Sequence, residues 1–230
     1  MLPAALSTKI APPLPSLPAH LLKNPSIQAS LKSMEAYIKV DTPFNVKHFE
    51  ALLFNHPNQP FVPSIMRGLS EGFWPFDEGE WKIEEQDFAE NFASAEEDLE
   101  VIHTFCEKEL NAGRWSWALP ISNLLPGMKM SPLCIAWQKA KPWVITDHSA
   151  SGLNGGIPRS EARVQYDGMH PFGQILHNAQ LNNPSHSLVV FKCDVVSAFL
   201  NLPAHPIWQL HQVIGIDGAL HIVRQLVFGN

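Results

Sequence analysis

Charge is scarce in this sequence. Asp, Glu, Lys and Arg make up 17% of the 230 residues, below the usual quarter. With 45% hydrophobic residues, low charge excludes wholesale disorder. Cysteine is scarcer still. Cys106, Cys134 and Cys193 are odd in number and far apart, which excludes a disulfide framework and a zinc-ligand spacing. The expectation is a chain of a reducing compartment, cytoplasmic or nuclear. No run approaches the roughly 18 apolar residues of a membrane span, so no membrane partner is expected. The apolar N-terminus is broken by Pro3, Pro12, Pro13, Pro15 and Pro18, unlike the uninterrupted core of a signal peptide.

Familiar catalytic patterns are missing as well. There is no G-x-S-x-G element, and the consecutive Asp147, His148 and Ser149 cannot form a relay from neighbouring positions of an extended segment. Gly152, Gly155 and Gly156 lack the Lys-Ser/Thr that completes a phosphate-cradling loop. The 11 histidines show no H-E-x-x-H spacing, so packing and surface roles are expected for them.

Acidic charge is present but concentrated. Residues 77–110 hold 13 Asp and Glu against 2 Lys, a local −11. Residues 1–76 carry +2 and residues 111–230 carry +3, which together give the total of −6. A weakly basic C-terminal half is compatible with a phosphate backbone without demanding one.

Residues 1–25 read as a Pro-rich, extended, weakly ordered lead-in, and 26–113 as a helical region. Helices are expected over 26–39, 46–54 and from about Ser64 to Gly72. The clearest lies over 83–112, where Phe88, Phe92, Ala95, Leu99, Ile102 and Cys106 form one stripe and the acids form its solvated face. From 114 the pattern changes to short strands at LCIAW and WVIT, an irregular loop at 153–160 and a helix at 170–181. Then comes a buried apolar run, Leu188 to Phe191, that ends at Asp194 before a short turn closed by Pro203. The runs IWQLHQVIGI and ALHIVRQLV flank Asp217-Gly218, a strong hairpin signal. The fold class is α+β.

Asp194 at the end of an apolar strand is costly unless it meets a metal or a donor. Capping the following turn and ligating a metal are equally open on this residue alone.

Wider context carries a resemblance. FKCDVVSAFLNLP resembles motif A of reverse transcriptases, with Asp194 at the catalytic position and Phe199 at the aromatic position. WVITDHSASGLN resembles the fingers motif of that family through Val144, Asp147, Leu153 and Asn154. VFGN resembles its Phe-Gly element at Phe228 and Gly229. Together with HPNQPFVPSIMRGLSEGFWPF, the sequence looks most like the polyproteins of DIRS-type (tyrosine-recombinase) retrotransposons, with the polymerase likeness over 114–230.

The resemblance implies the fingers and first half of the palm of a right-hand polymerase, with RNA-templated DNA synthesis by two-metal transfer as the parent reaction. It implies Mg²⁺ held by Asp194 and the Val195 carbonyl, and a template–primer and dNTP as partners. Phe199, Phe228 and Gly229 would contact the nucleotide. Pro142 and Trp143 stand where the family carries a basic residue, with Lys139 and Lys141 nearby as triphosphate contacts. The family's paired aspartates are absent from the 230 residues, so no activity is expected of this chain alone. Residues 188–195 and the hairpin of 207–226 are expected to keep an unpaired sheet edge. The alternative is a non-enzymatic, domesticated or degraded remnant that binds nucleic acid or protein.

Overall fold

The structure, a computed structural model, describes residues 11–84, 91, 96–158, 168–190 and 195–227. It is α+β, with helices and two small antiparallel sheets. Among the described residues no helix is long and apolar enough to cross a membrane.

Four helices precede the acidic segment: α1 (Ala19–Leu22), α2 (Pro25–Ser33), α3 (Val46–Leu52) and α4 (Phe61–Glu71). The start of α2 is encoded locally. Asn24 Oδ1 accepts from the Ser26 and Ile27 amides at 3.0 and 3.2 Å, and Pro25 occupies the first helical position, where no donor is lost. The helix ends at Ser33, short of the expected Lys39, in a turn closed by the Tyr37 and Ile38 amides on Met34 O. Helix α4 stops at Gly72, whose φ of 94° is open to glycine. A Cβ there would lie 2.5 Å from the Ala204 and His205 backbone. The approach lets Phe73 exchange backbone hydrogen bonds with Pro203 and His205 at 2.8 and 3.0 Å.

Helix α5 (Glu96–Asn111) begins later than its stripe predicts, since residues 81–84 are not helical. Phe88, Phe92 and Ala95 lie outside the described residues. Ile102 and Cys106 are buried, but Leu99 is exposed. Nor is every acid solvated. Glu109 is fully buried and grips Arg114 through two bonds of 2.5 and 2.7 Å.

Strands β1 (Leu133–Gln138) and β2 (Lys141–Thr146) pair antiparallel, as do β3 (Val213–Ile216) and β4 (Ala219–Ile222). Asp217 and Gly218, at φ 51° and 78°, make the β3–β4 turn, in the left-handed geometry that matches strand twist. Helix α6 (Met169–Asn182) buries none of its side chains.

Three expectations from the sequence are corrected. The run from Leu188 is not a buried strand: Val189 and Val190 are 83% and 61% exposed, and 187–190 form no sheet, because no described segment pairs with them. Of the expected strand IWQLHQVIGI, the first part is helix α7 (Pro206–Leu210), started by Pro206 and capped by His205 Nδ1. The hairpin edges are covered. Ser116 and Leu119 bond Ile222 and Leu220 beside β4, and Lys129 and Ser131 bond Val213 beside β3. The expected open edge is therefore absent from this hairpin.

Helix α7 sits where the chain converges. Ile207, Trp208 and Leu210 are completely buried, in one core with Leu21, Ile27, Leu124 and Leu220. Gln209 is buried with them. Its Oε1 accepts from the Lys39 amide at 3.2 Å, and its Nε2 donates to Lys39 O and Ala204 O at 2.8 and 2.7 Å. Gln209→Leu leaves three backbone groups without a partner. The buried Ala204 carbonyl alone costs about 1–3 kcal/mol when left unpaired, so the urea midpoint of unfolding is expected to fall clearly at unchanged m value. An unmoved midpoint would mean that the amide carries none of this load.

Candidate functional site

The β1–β2 hairpin positions the residues of the expected fingers motif. Its register runs from Leu133 opposite Thr146 to Gln138 opposite Lys141. The tip residues Lys139 and Ala140 have φ of 49° and 61°. Lys141 Nζ lies 4.5 Å over the Trp143 ring, a cation–π contact that holds this cation at the hairpin end.

Beyond β2 the chain tightens into a turn. The Asp147 amide donates to Pro132 O at 2.9 Å, and its carboxylate Oδ1 accepts from the Ser149 and Ala150 amides at 3.0 and 2.9 Å. The carboxylate therefore caps the turn, consistent with the local habit of Asp side chains. The Asn154 amide returns to His148 O at 3.3 Å. Leu153, in a 3-10 turn spanning Leu153–Gly156, drops into the main core at 2% exposure. Asn154 Oδ1 is buried with no hydrogen-bond partner among the described residues. Asp147, Leu153 and Asn154 are thus brought together, with Lys139 and Lys141 at the far end of the same hairpin.

Val195 and Phe199 belong to a separate turn. Val195 and Val196 are 61% and 84% exposed, Ser197 has φ of 54°, and Phe199 is 44% exposed. Asn201 Nδ2 donates to Val196 O at 3.2 Å, and Thr42 Oγ1 donates to Asn201 O at 3.0 Å. The Phe199 ring is partly available to solvent and is not a core residue. Asp194, Phe228 and Gly229 lie outside the described residues. Among the described residues no group of three His, Cys, Asp or Glu side chains could hold a metal ion.

The structure adds a cluster that sequence reasoning missed. Residues 77–81 lie against the 153–156 turn, where the Glu78 amide donates to Gly156 O at 3.0 Å. A Cβ on Gly156 would collide with Asp77 Oδ1, so only glycine fits there. Asp77 and Trp81, with Gly127, Lys129 and His211, line a cavity of about 80 Å³. The His211 ring stacks on Trp81 at 3.8 Å and 8°. Its Nδ1–H donates to Gly127 O at 3.1 Å. Burial pushes its pKa down to about 3 and that of His205 down to about 4. His205 Nδ1 accepts from the Ile207 amide at 3.2 Å, which requires that nitrogen to be unprotonated. The partners of His211 come from distant parts of the sequence, and no local spacing announces them.

No family model matches the chain, and no curated protein matches it. Among solved structures it is similar to a foamy viral protease–reverse transcriptase in complex with dsDNA, with a TM-score of 0.45 and 13% identity. The match covers 84% of this chain and 40% of that one, so this chain spans about two fifths of the length of the structure it matches.

Two half-buried histidines, His205 and His211, set a pH dependence. Their folded pKa values, about 3 and about 4, lie below the ordinary 6.5. The unfolded chain therefore binds more protons as pH falls through 6.5, and stability present above that value is lost on acidification. Between pH 7 and 5 each histidine should remove on the order of 2 kcal/mol. His211→Gln, which retains a donor for Gly127 O, should flatten the profile of chemical unfolding over this interval. A variant profile parallel to that of the wild type would contradict a His211 held neutral in the folded state.

Proposed function

We propose that this chain supplies the fingers and the first part of the palm of a retroelement RNA-directed DNA polymerase, with affinity to the DIRS-type elements. The observation that carries the reading is the hairpin-to-turn unit. The β1–β2 hairpin leads into a turn that gathers Asp147, Leu153 and Asn154, with Leu153 anchored in the core. These are the residues through which the sequence resembles the fingers motif. The motif A and Phe-Gly resemblances follow it in order. RNA-templated DNA synthesis, a template–primer and dNTP belong to this proposal as properties of the whole polymerase.

Within it, Asp194 is the metal-facing carboxylate, with Val195 contributing its carbonyl to Mg²⁺. Phe199 borders the sugar of the incoming nucleotide, and its partial exposure leaves the ring available for that contact. Lys139 and Lys141 meet phosphate from the hairpin end, while Phe228 and Gly229 line the nucleotide. A second reading, a remnant that binds nucleic acid or protein without catalysis, is favoured by the exposure of Val189, Val190, Val195 and Val196 on either side of Asp194. A carboxylate held for chemistry needs a rigid, enclosed setting.

Two measurements separate the readings. An RNA–DNA primer–template duplex should bind the purified chain with salt-dependent affinity. Lys139→Ala combined with Lys141→Ala should weaken binding uniformly across sequences and reduce the salt slope by about 1 for each phosphate that is no longer neutralised. An unchanged slope would remove the two lysines from the interface.

In the polypeptide that carries this chain, Asp194→Asn should lower primer extension by on the order of 10²-fold or more. Phe199→Val should raise ribonucleotide incorporation relative to deoxyribonucleotide. Extension at the parental rate by Asp194→Asn, or a nucleotide preference unmoved by Phe199→Val in folded protein, would contradict the polymerase reading. Duplex binding without extension by the parent polypeptide would favour the second.

A further inference from the structure

The Pro-rich segment 11–18, expected as a weakly ordered lead-in, is tied to α4 and the turn before it. Asn58 Nδ2 donates to Ala11 O at 2.8 Å. The Leu14 amide donates to Ser64 Oγ at 2.9 Å. Arg67 Nη2 donates to Leu14 O and Pro15 O at 3.0 and 3.1 Å. These bonds leave a cavity of about 270 Å³, walled by Leu14 and Leu17 from the segment, Arg67 from α4, and Phe73, Trp74 and His205 from the chain beyond. An engineered cavity of roughly 150 Å³ takes benzene, so this one has room for a two-ring molecule.

The uncommitted side-chain groups on its inner wall are donors. The Arg67 guanidinium is half-buried, and its Nη2 meets only neutral carbonyls. Its Nε and Nη1 have no hydrogen-bond partner among the described residues, and no carboxylate there forms an ion pair with it. The one acid of the lining, Glu71, is exposed. Ser64 Oγ is already spent, since it also donates to Phe61 O at 2.6 Å. His205 Nδ1 accepts from the Ile207 amide at 3.2 Å, which puts the ring proton on Nε2. That N–H has no partner among the described residues either. A half-buried guanidinium without a counter-charge favours an anion, and its planar fork matches a carboxylate. The Phe73 and Trp74 rings supply the apolar area that a small ligand needs beside its polar anchor.

We propose that this cavity is a binding site for an aromatic monocarboxylate of about two fused rings. Its carboxylate meets Arg67, and its rings lie against Phe73 and Trp74. Residues 14–17 form one wall, so the bound molecule joins the N-terminal segment to α4.

The probe is 2-naphthoate, titrated calorimetrically into the intact protein beside the uncharged 2-naphthamide. No nucleic acid is involved, so the outcome is separate from that of the polymerase reading. The carboxylate is expected to bind with a dissociation constant of about a millimolar or tighter, and the amide at least about tenfold more weakly, the worth of a charge-assisted hydrogen bond. Nuclear Overhauser contacts from the naphthyl protons are expected at the Phe73 and Trp74 rings. Arg67→Gln should erase the preference for the carboxylate. Because that change also touches the bonds to Leu14 and Pro15, Leu17→Trp serves as a second variant: it fills the cavity with Arg67 in place and should abolish binding. Protected amides in β3 and β4 report that each variant is folded. The proposal is overturned by no binding of 2-naphthoate at 5 mM (about five times the expected limit), by equal affinity for the two probes, by contacts confined to other residues, or by binding that either variant leaves unchanged.

Discussion

Two buried glutamines hold the molecule to one arrangement. Gln209 joins α7 to Lys39 and Ala204. Gln212, just beyond the helix, accepts from Trp208 Nε1 at 3.0 Å and donates to Val223 O and Gln225 O at 3.2 and 3.1 Å. Gln225 then donates to Asp41 O at 3.1 Å. Each amide faces backbone that has left regular secondary structure, where a buried carbonyl or N–H would otherwise lack a partner. Arg224 extends the same logic, with bonds to Tyr37 O at 2.8 Å and Gly113 O at 3.1 Å. Apolar contacts fill the core around Trp208, but they are non-directional. The amides specify which segments meet.

This constraint explains how irregular segments around the second hairpin stay ordered. Residues 115–119 and 129–131 line opposite edges of β3–β4 and bond its outer backbone groups. Asn91 ties the two hairpins together, donating to Gly215 O at 2.7 Å and accepting from the Leu133 amide at 2.9 Å. The turn with Asp147, Leu153 and Asn154 therefore hangs from a scaffold braced on both sides. The turn with Val195 and Phe199 is tied through Asn201, which bonds Val196 O and accepts from Thr42. The first part of the candidate site is built into the core, and the second lies on the surface.

What the sequence discloses follows the range of the interactions involved. The end of α4 at Gly72 and the turn at Asp217-Gly218 are local, set by backbone conformations that a few residues favour. The β1–β2 strands also follow from short apolar runs, although their turn uses Lys139 and Ala140 in place of the usual glycine. Helix α7 escapes a reading by pattern because IWQL is buried on every side and carries no helical periodicity. Its only local marks are His205 and Pro206. The run from Leu188 misleads for the opposite reason: strand-forming composition does not supply a partner strand. In the site, Asp147 and Leu153 can be named from their string. The stack of Trp81 on His211 and the fit of Gly156 against Asp77 cannot, since they exist only once distant segments have met.

In the polymerase reading, the 147–154 turn and the 195–199 turn serve one template–primer. The most direct measurement is photo-crosslinking of the chain to an RNA–DNA primer–template whose primer 3′ terminus carries a photoreactive thymidine, with attachment sites mapped by mass spectrometry. Crosslinks are expected in residues 195–199 and 147–154, competed by unlabelled duplex and lost as salt is raised. Crosslinks confined to other surfaces, such as the exposed face of α6, would contradict that reading.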